Sequence, residues 1–118
     1  VIFQTLLTRL HKAEADFEEV IAYVNDHFDY TATRFTNGLG ENPVVNEAGT
    51  NEGSCRLFAL AALKGLSEAD TLQLFGRFYR EDVLKHPEAV NHGNIRRFMK
   101  DGWAGIHFDG IALQAKED

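Results

Sequence analysis

The chain has 118 residues, 44% of them hydrophobic and 11% aromatic, enough to pack one core and too apolar for a disordered polymer. Its formal net charge of -6 argues against a general nucleic-acid binder, which needs a basic face to neutralise phosphates. The lone cysteine, Cys55, excludes an internal disulfide, and no apolar run approaches the roughly 18 residues that span a bilayer. One domain over residues 1–118, with the cytoplasm as its default compartment and no membrane partner, is therefore expected.

In chain order, Ile2, Phe3, Leu6, Leu7 and Leu10 recur at helical spacing and predict a short amphipathic helix. Asp16 and Glu19 form a capping box ahead of Phe17, Val20, Ile21, Val24 and Phe28, whose spacing gives a second helix one apolar face. From Tyr30 to Thr36 the period changes to two, predicting a strand that ends at Asn37-Gly38. Residues 37–53, with Gly38, Gly40, Pro43, Gly49 and Gly53, read as a long loop, of a length that is often functional.

The loop runs into the most apolar helix of the chain, residues 54–64, with Ser54 as its N-cap and Gly65 as its stop. Its breadth of apolar surface makes it the central buried helix. Ser67 with Asp70 opens a further helix, which Gly76 bends and Pro87 ends. Asn91 to Asn94 reads as a turn and cap before a short helix that turns Ile95, Phe98 and Met99 inward and closes at Gly102. Ile106 and Phe108, then Asp109-Gly110, then Ile111 and Leu113 predict a hairpin. The expected architecture is α+β: about five helices around the 54–64 helix, with a small antiparallel sheet that includes the C-terminal hairpin.

Candidate chemistry concentrates between Asn46 and Cys55. Backbone amides at Gly53, Ser54 and Cys55 would lie at the positive end of the central helix, where an anion is favoured. Glu47 and Glu52 in the same loop oppose a phosphate, and the phosphate-loop pattern of glycines and lysine is absent. Two readings stand: Asn46, Glu47, Asn51 and Glu52 satisfy loop amides and cap helices, or they line a site in which Glu47 or Glu52 acts as acid or base and Asn46 or Asn51 orients a ligand. Cys55, in the first turn, is a core residue on one reading and a thiolate nucleophile on the other.

Metal ligation is not expected, since His86 and His92 straddle a proline turn and no paired His or Cys motif exists. No cofactor motif is legible. Charge is uneven: residues 77–100 carry six Lys or Arg against Glu81, Asp82 and Glu88, a net of +3. Within that segment Arg77 and Arg80 share a helical face and could hold a carboxylate, a phosphate or a partner protein, or form surface ion pairs.

The blocks Phe35-Thr-Asn-Gly38, Asn46-Glu-Ala-Gly-Thr-Asn-Glu-Gly-Ser-Cys55, Phe75-Gly-Arg-Phe-Tyr-Arg-Glu-Asp-Val-Leu84 with His86-Pro87, and Asn94-Ile-Arg-Arg-Phe-Met99 with Gly102-Trp103 resemble the HopJ type III effector family over nearly the whole chain. The resemblance implies a small bacterial protein delivered into a host cell by secretion, with no reaction or catalytic residue attached. An effector that binds a host or bacterial protein through the loop and Arg77 and Arg80 is one expectation. The other is a small enzyme or small-molecule binder that uses residues 46–55 and serves the bacterium itself. The second draws on the start of the chain, which is apolar and helical and carries no Ser before Ser54, unlike the polar leaders of type III substrates.

Overall fold

A computed structural model describes residues 2–116. Its helices are α1 (Phe3–His11), α2 (Phe17–His27), α3 (Glu52–Lys64), α4 (Glu68–Gln73) and α5 (Gly93–Asp101); its strands are β1 (Phe28–Tyr30), β2 (Phe35–Asn37), β3 (Val44–Asn46), β4 (Ile106–Phe108) and β5 (Leu113–Ala115). A π-helical turn, Phe78–Val83, follows α4, and a 3-10 turn, Gly102–Gly105, follows α5. The architecture is the expected α+β globule of about five helices with small antiparallel sheets.

The sheet is divided in two. β1 pairs with β5, while β2 lies between β3 and β4, all antiparallel. The arms of the C-terminal hairpin, β4 and β5, part after the turn at Asp109-Gly110 and each takes its ladder partner from the N-terminal half. The same division splits the predicted Tyr30–Thr36 strand, because β1 and β2 belong to different sheets. It also places β3 inside the predicted 37–53 loop, where Val44 and Val45 supply the strand residues.

Leu57, Phe58, Leu60 and Ala61 of α3 are fully buried, so this helix is the core element its composition implies. Phe58 is the hub of the aromatic packing, with ring centroids 5.9 Å from Phe35, 5.4 Å from Phe75 and 5.1 Å from Phe98. The helix begins two residues before Ser54: Asn51, in left-handed backbone geometry at φ 48°, is its N-cap. Asn tolerates that geometry better than most residues. Gly65, also left-handed, ends the helix, and Leu66 donates back to the Ala61 carbonyl at 3.0 Å.

The two capping-box predictions correspond to real caps, whereas Ser54, predicted as an N-cap, lies inside the first turn of α3. Asp16 and Glu19 form a reciprocal box at the start of α2, and Ser67 accepts from the Asp70 amide at 3.1 Å. Gly76 does more than bend a helix. It sits at φ +59°, and a Cβ there would meet Asp16 Oδ1 and stand 2.6 Å from the Phe17 amide nitrogen. The start of α2 thus packs onto the break between α4 and the π-turn, with the Arg77 amide donating to Asp16 Oδ1 at 2.9 Å. On α5 the inward face is Asn94, Ile95 and Phe98; Met99, expected inside, is 45% exposed because it lies one residue past that stripe.

Candidate ligand-binding cleft

Two helices, α3 and α5, begin side by side, and buried asparagines hold them there. Asn46 Oδ1 accepts from Asn51 Nδ2 at 2.7 Å and from Asn94 Nδ2 at 2.8 Å, while Asn46 Nδ2 donates to Asn94 Oδ1 at 3.1 Å. Asn37 Nδ2 donates to the Asn94 carbonyl at 2.9 Å and to its side-chain oxygen at 3.1 Å. Asn37, Asn46 and Asn94 are buried. Asparagine suits this task because one side chain offers donors and an acceptor together. The knot joins β2, β3 and the starts of both helices.

Where the helices begin, a cleft of about 350 Å³ opens between them. Asn51, Gly53 and Ser54 of the first helix and His92, Gly93, Asn94 and Ile95 of the second line it, with Phe17, Phe75 and Phe78 as walls. The N-cap residues, Asn51 and His92, are both left-handed, at φ 48° and 54°, and neither makes a side-chain cap bond. First-turn amides have no acceptor within their own helix, so two partly positive helix ends face one space. The Ser54 hydroxyl makes no side-chain hydrogen bond among the described residues, and Ser54 lines the cleft. The Phe17 ring lies over Gly53, where a Cβ would stand 2.8 Å from the ring, so glycine is what allows that wall to close on the helix start. Phe78 packs edge-on against Phe17 at 5.1 Å and lies 5.2 Å from the His92 ring.

No acidic side chain lines the cleft. Glu47 ion-pairs with Arg34 at 3.3 Å, and Glu52 approaches Arg56 at 3.7 Å. The acids that oppose an anion in the sequence are thus engaged elsewhere. His92 Nε2 bonds Asp82 at 2.9 Å, which fixes the ring beside Phe78.

The remaining candidates lie apart. Cys55 is buried, 3.6 Å from the Thr33 carbonyl, and burial pushes its thiol up from the ordinary value, the reverse of what a nucleophile needs. Burial likewise pushes up the neighbouring Tyr30 phenol. Arg77 is occupied by Asp16 at 2.9 Å and by both oxygens of Glu18 at 2.8 and 2.9 Å. Arg80 donates to the carbonyls of Leu10 and Ala15. Of the eight candidates, Asn51 and Ser54 line the cleft, Asn46 supports it from below, and Glu47, Glu52, Cys55, Arg77 and Arg80 do not reach it. Phe17, Phe75, Phe78 and Gly93 carry no sequence signal for a site, since each reads as core or turn. Among the described residues no cluster of His, Cys, Asp and Glu could hold a metal, and no helix is long and apolar enough to cross a membrane.

Fold and cleft describe a small α+β domain with a recess of aromatic side chains and helix amides at paired helix starts. The chain belongs to the HopJ type III effector protein family, whose pattern it matches over residues 3–113. It is also similar to a crystal structure described as that of a protein of unknown function, VPA0580, with 45% identity and a TM-score of 0.88 over 98% of this chain and 95% of that one. No curated protein matches it.

Proposed function

We propose that the chain works by binding, and that the cleft takes a carboxylate or phosphate carried on a flat apolar body. The observation that supports this is the convergence of two helix starts without side-chain caps on aromatic walls, in a recess lined by no acid. The anionic group would accept from first-turn amides and the Ser54 hydroxyl, and the ring would lie against Phe17 and Phe78. This is the small-molecule reading of residues 46–55, narrowed to Asn51 and Ser54 and extended to α5.

Thermal shift with inorganic phosphate, benzoate and phenyl phosphate tests it. The aromatic anions are expected to raise the melting temperature more than phosphate does, since ligand at about 100 times its Kd stabilises by roughly 2.7 kcal/mol. Gly93 lies in the cleft with open space where its Cβ would be, so Gly93→Leu is expected to abolish the response while keeping the unliganded melting temperature. No shift with any of the three, or an equal shift in the variant, overturns the reading.

Family membership supports a second reading, in which the protein is delivered into a host cell and acts on a partner protein there. A reporter fused to the full gene in a secretion-competent strain tests it. Absence of export removes delivery and leaves the cleft untouched.

A further inference from the structure

On the far side of the π-turn and α5 from the cleft lies a second recess, of about 330 Å³, lined by Val83, Leu84, Pro87, Arg96, Met99 and Lys100. It shares no lining residue with the cleft. Its floor is apolar, and two of its side chains, Leu84 at 49% and Met99 at 45%, stand exposed. Isolated exposed apolar residues are ordinary, but here they adjoin one another in a groove with cations on its rim.

The groove is lined by two cations and no acid. Every carboxylate on the flanking elements has a basic neighbour: Glu81 pairs with Lys85 at 2.7 Å, Asp82 with His92 at 2.9 Å, Asp101 with Arg97 at 2.7 Å, and Glu88 lies 4.0 Å from His86. Arg96 and Lys100 are left over. The Arg96 guanidinium bonds only neutral acceptors, the carbonyls of Asn91, Pro87 and Asp82 and the Asn91 side chain. Lys100 makes no ion pair or side-chain hydrogen bond among the described residues. On a chain of net charge -6, two rim cations beside an apolar floor with no acid among the lining residues form a local exception.

We infer that this groove is a docking site for an acidic peptide segment of a partner protein, one that sets an apolar side chain between Leu84 and Met99 and places Asp or Glu against Arg96 and Lys100. Charge complementarity selects that occupant. A basic segment would meet like charge at the rim, and a second copy docking symmetrically through this face would bring its own Arg96 and Lys100 against them. The apolar anchor supplies affinity and the two cations supply orientation and encounter rate. The inference is independent of the cleft ligand and of secretion.

The probes are a short fluorescein-labelled peptide alternating Leu with Asp and Glu, and its counterpart with Lys in place of each acid, both read by anisotropy. The acidic peptide is expected to bind at least about tenfold more tightly than the basic one, a difference of roughly 1.4 kcal/mol, and to weaken as salt is added. Lys100→Glu and Met99→Asp change exposed side chains and are each expected to weaken it about tenfold while leaving the melting temperature in place. Equal binding of both peptides, no binding of either, or unchanged affinity in both variants overturns the inference. So does saturable sedimentation with phosphatidylserine vesicles by a protein that ignores the acidic peptide, or a dimer in light scattering that Met99→Asp dissolves.

Discussion

Replacing Asn46 with Ala isolates the energetics of the asparagine knot. The substitution removes the acceptor of two side-chain amides, Asn51 Nδ2 and Asn94 Nδ2, and the donor to Asn94 Oδ1. Asn51 is exposed and can turn to water, and Asn94 Oδ1 keeps its bond from Asn37 Nδ2 at 3.1 Å. Asn94 Nδ2 has no such recourse, because Asn94 is 7% exposed. One stranded buried donor costs about 1–3 kcal/mol, with the lost bonds themselves adding to it, so Asn46→Ala is expected to cost roughly 2–4 kcal/mol. Urea unfolding followed by circular dichroism reads this as a midpoint lowered by about 1–2 M at unchanged slope. The decisive quantity is the cycle with Asn94→Ala. In the double variant the stranded donor is gone, so its cost should fall short of the summed single costs by about 1–2 kcal/mol. Additivity within about 0.5 kcal/mol would refute the claim that the two side chains satisfy each other.

Four further outcomes follow from the packing and the ion pairs. Gly76→Ala forces a left-handed residue and drives a methyl into Asp16 and the Phe17 amide, and is expected to cost about 2–4 kcal/mol by thermal unfolding. Gly65→Ala, equally left-handed but with nothing within 4 Å of the new Cβ, should cost only about 1–2 kcal/mol, and equal losses would discredit the contact argument. Burial raises the Asp16 carboxyl, but the amides of Arg77 and Phe17 and the Arg77 guanidinium outweigh it and hold it below the ordinary range; the Arg77 side chain likewise holds Glu18 down. A carboxylate with a lowered folded pKa stabilises above its unfolded value, about pH 4, and that contribution is lost as pH falls through the folded value. Arg77→Gln should therefore be less stable than the parent at neutral pH and approach it near pH 2 in an acid titration of the melting temperature; a gap that persists unchanged would remove the ionic explanation. Phe58→Ala empties the aromatic hub and is expected to cost about 3–5 kcal/mol, read as loss of cooperative unfolding or a large fall in midpoint.

The parts of the fold legible in sequence were those specified locally. The capping box at Asp16 and the cap at Ser67 need only residues three apart, and the apolar breadth of residues 57–61 is visible in any window. Strand partners are not local: nothing near Tyr30 says that β1 pairs with β5 while β2, five residues on, pairs with β3 and β4. The asparagine knot was half visible. Asn46 and Asn51 stood out in a polar loop, but their partners Asn37 and Asn94 are distant in sequence and read as a turn residue and a cap. The cleft was harder still, because its walls come from three other segments. Arg77 and Arg80 attracted attention for their charge, and tertiary contacts then consumed it: the first faces two carboxylates, the second two carbonyls.

Net charge by itself is a poor guide to the local electrostatics of the two recesses. A chain of net -6 would be expected to repel anions everywhere, yet at physiological ionic strength charges are screened beyond about 8 Å, so the groups at hand decide. At the cleft those groups are helix amides with no acid among the lining residues. At the groove they are Arg96 and Lys100, with no acid among the lining residues. Both recesses are built from the π-turn and α5, Phe78 and Ile95 facing one and Val83 and Met99 the other. A π-turn is an uncommon element that recurs at functional sites. Here it displaces the chain between Phe78 and Val83 so that one short segment contributes to two surfaces, with the Asp82–His92 contact and the Arg96 bond to the Asp82 carbonyl tying it to α5. The N-terminal half contributes Phe17, Asn51, Gly53 and Ser54 to the cleft and no residue to the groove, and its carboxylates at Glu47 and Glu52 are turned to arginines. The basic bias of residues 77–100 therefore reaches the groove through Arg96 and Lys100 and does not reach the cleft, whose lining holds no Lys or Arg.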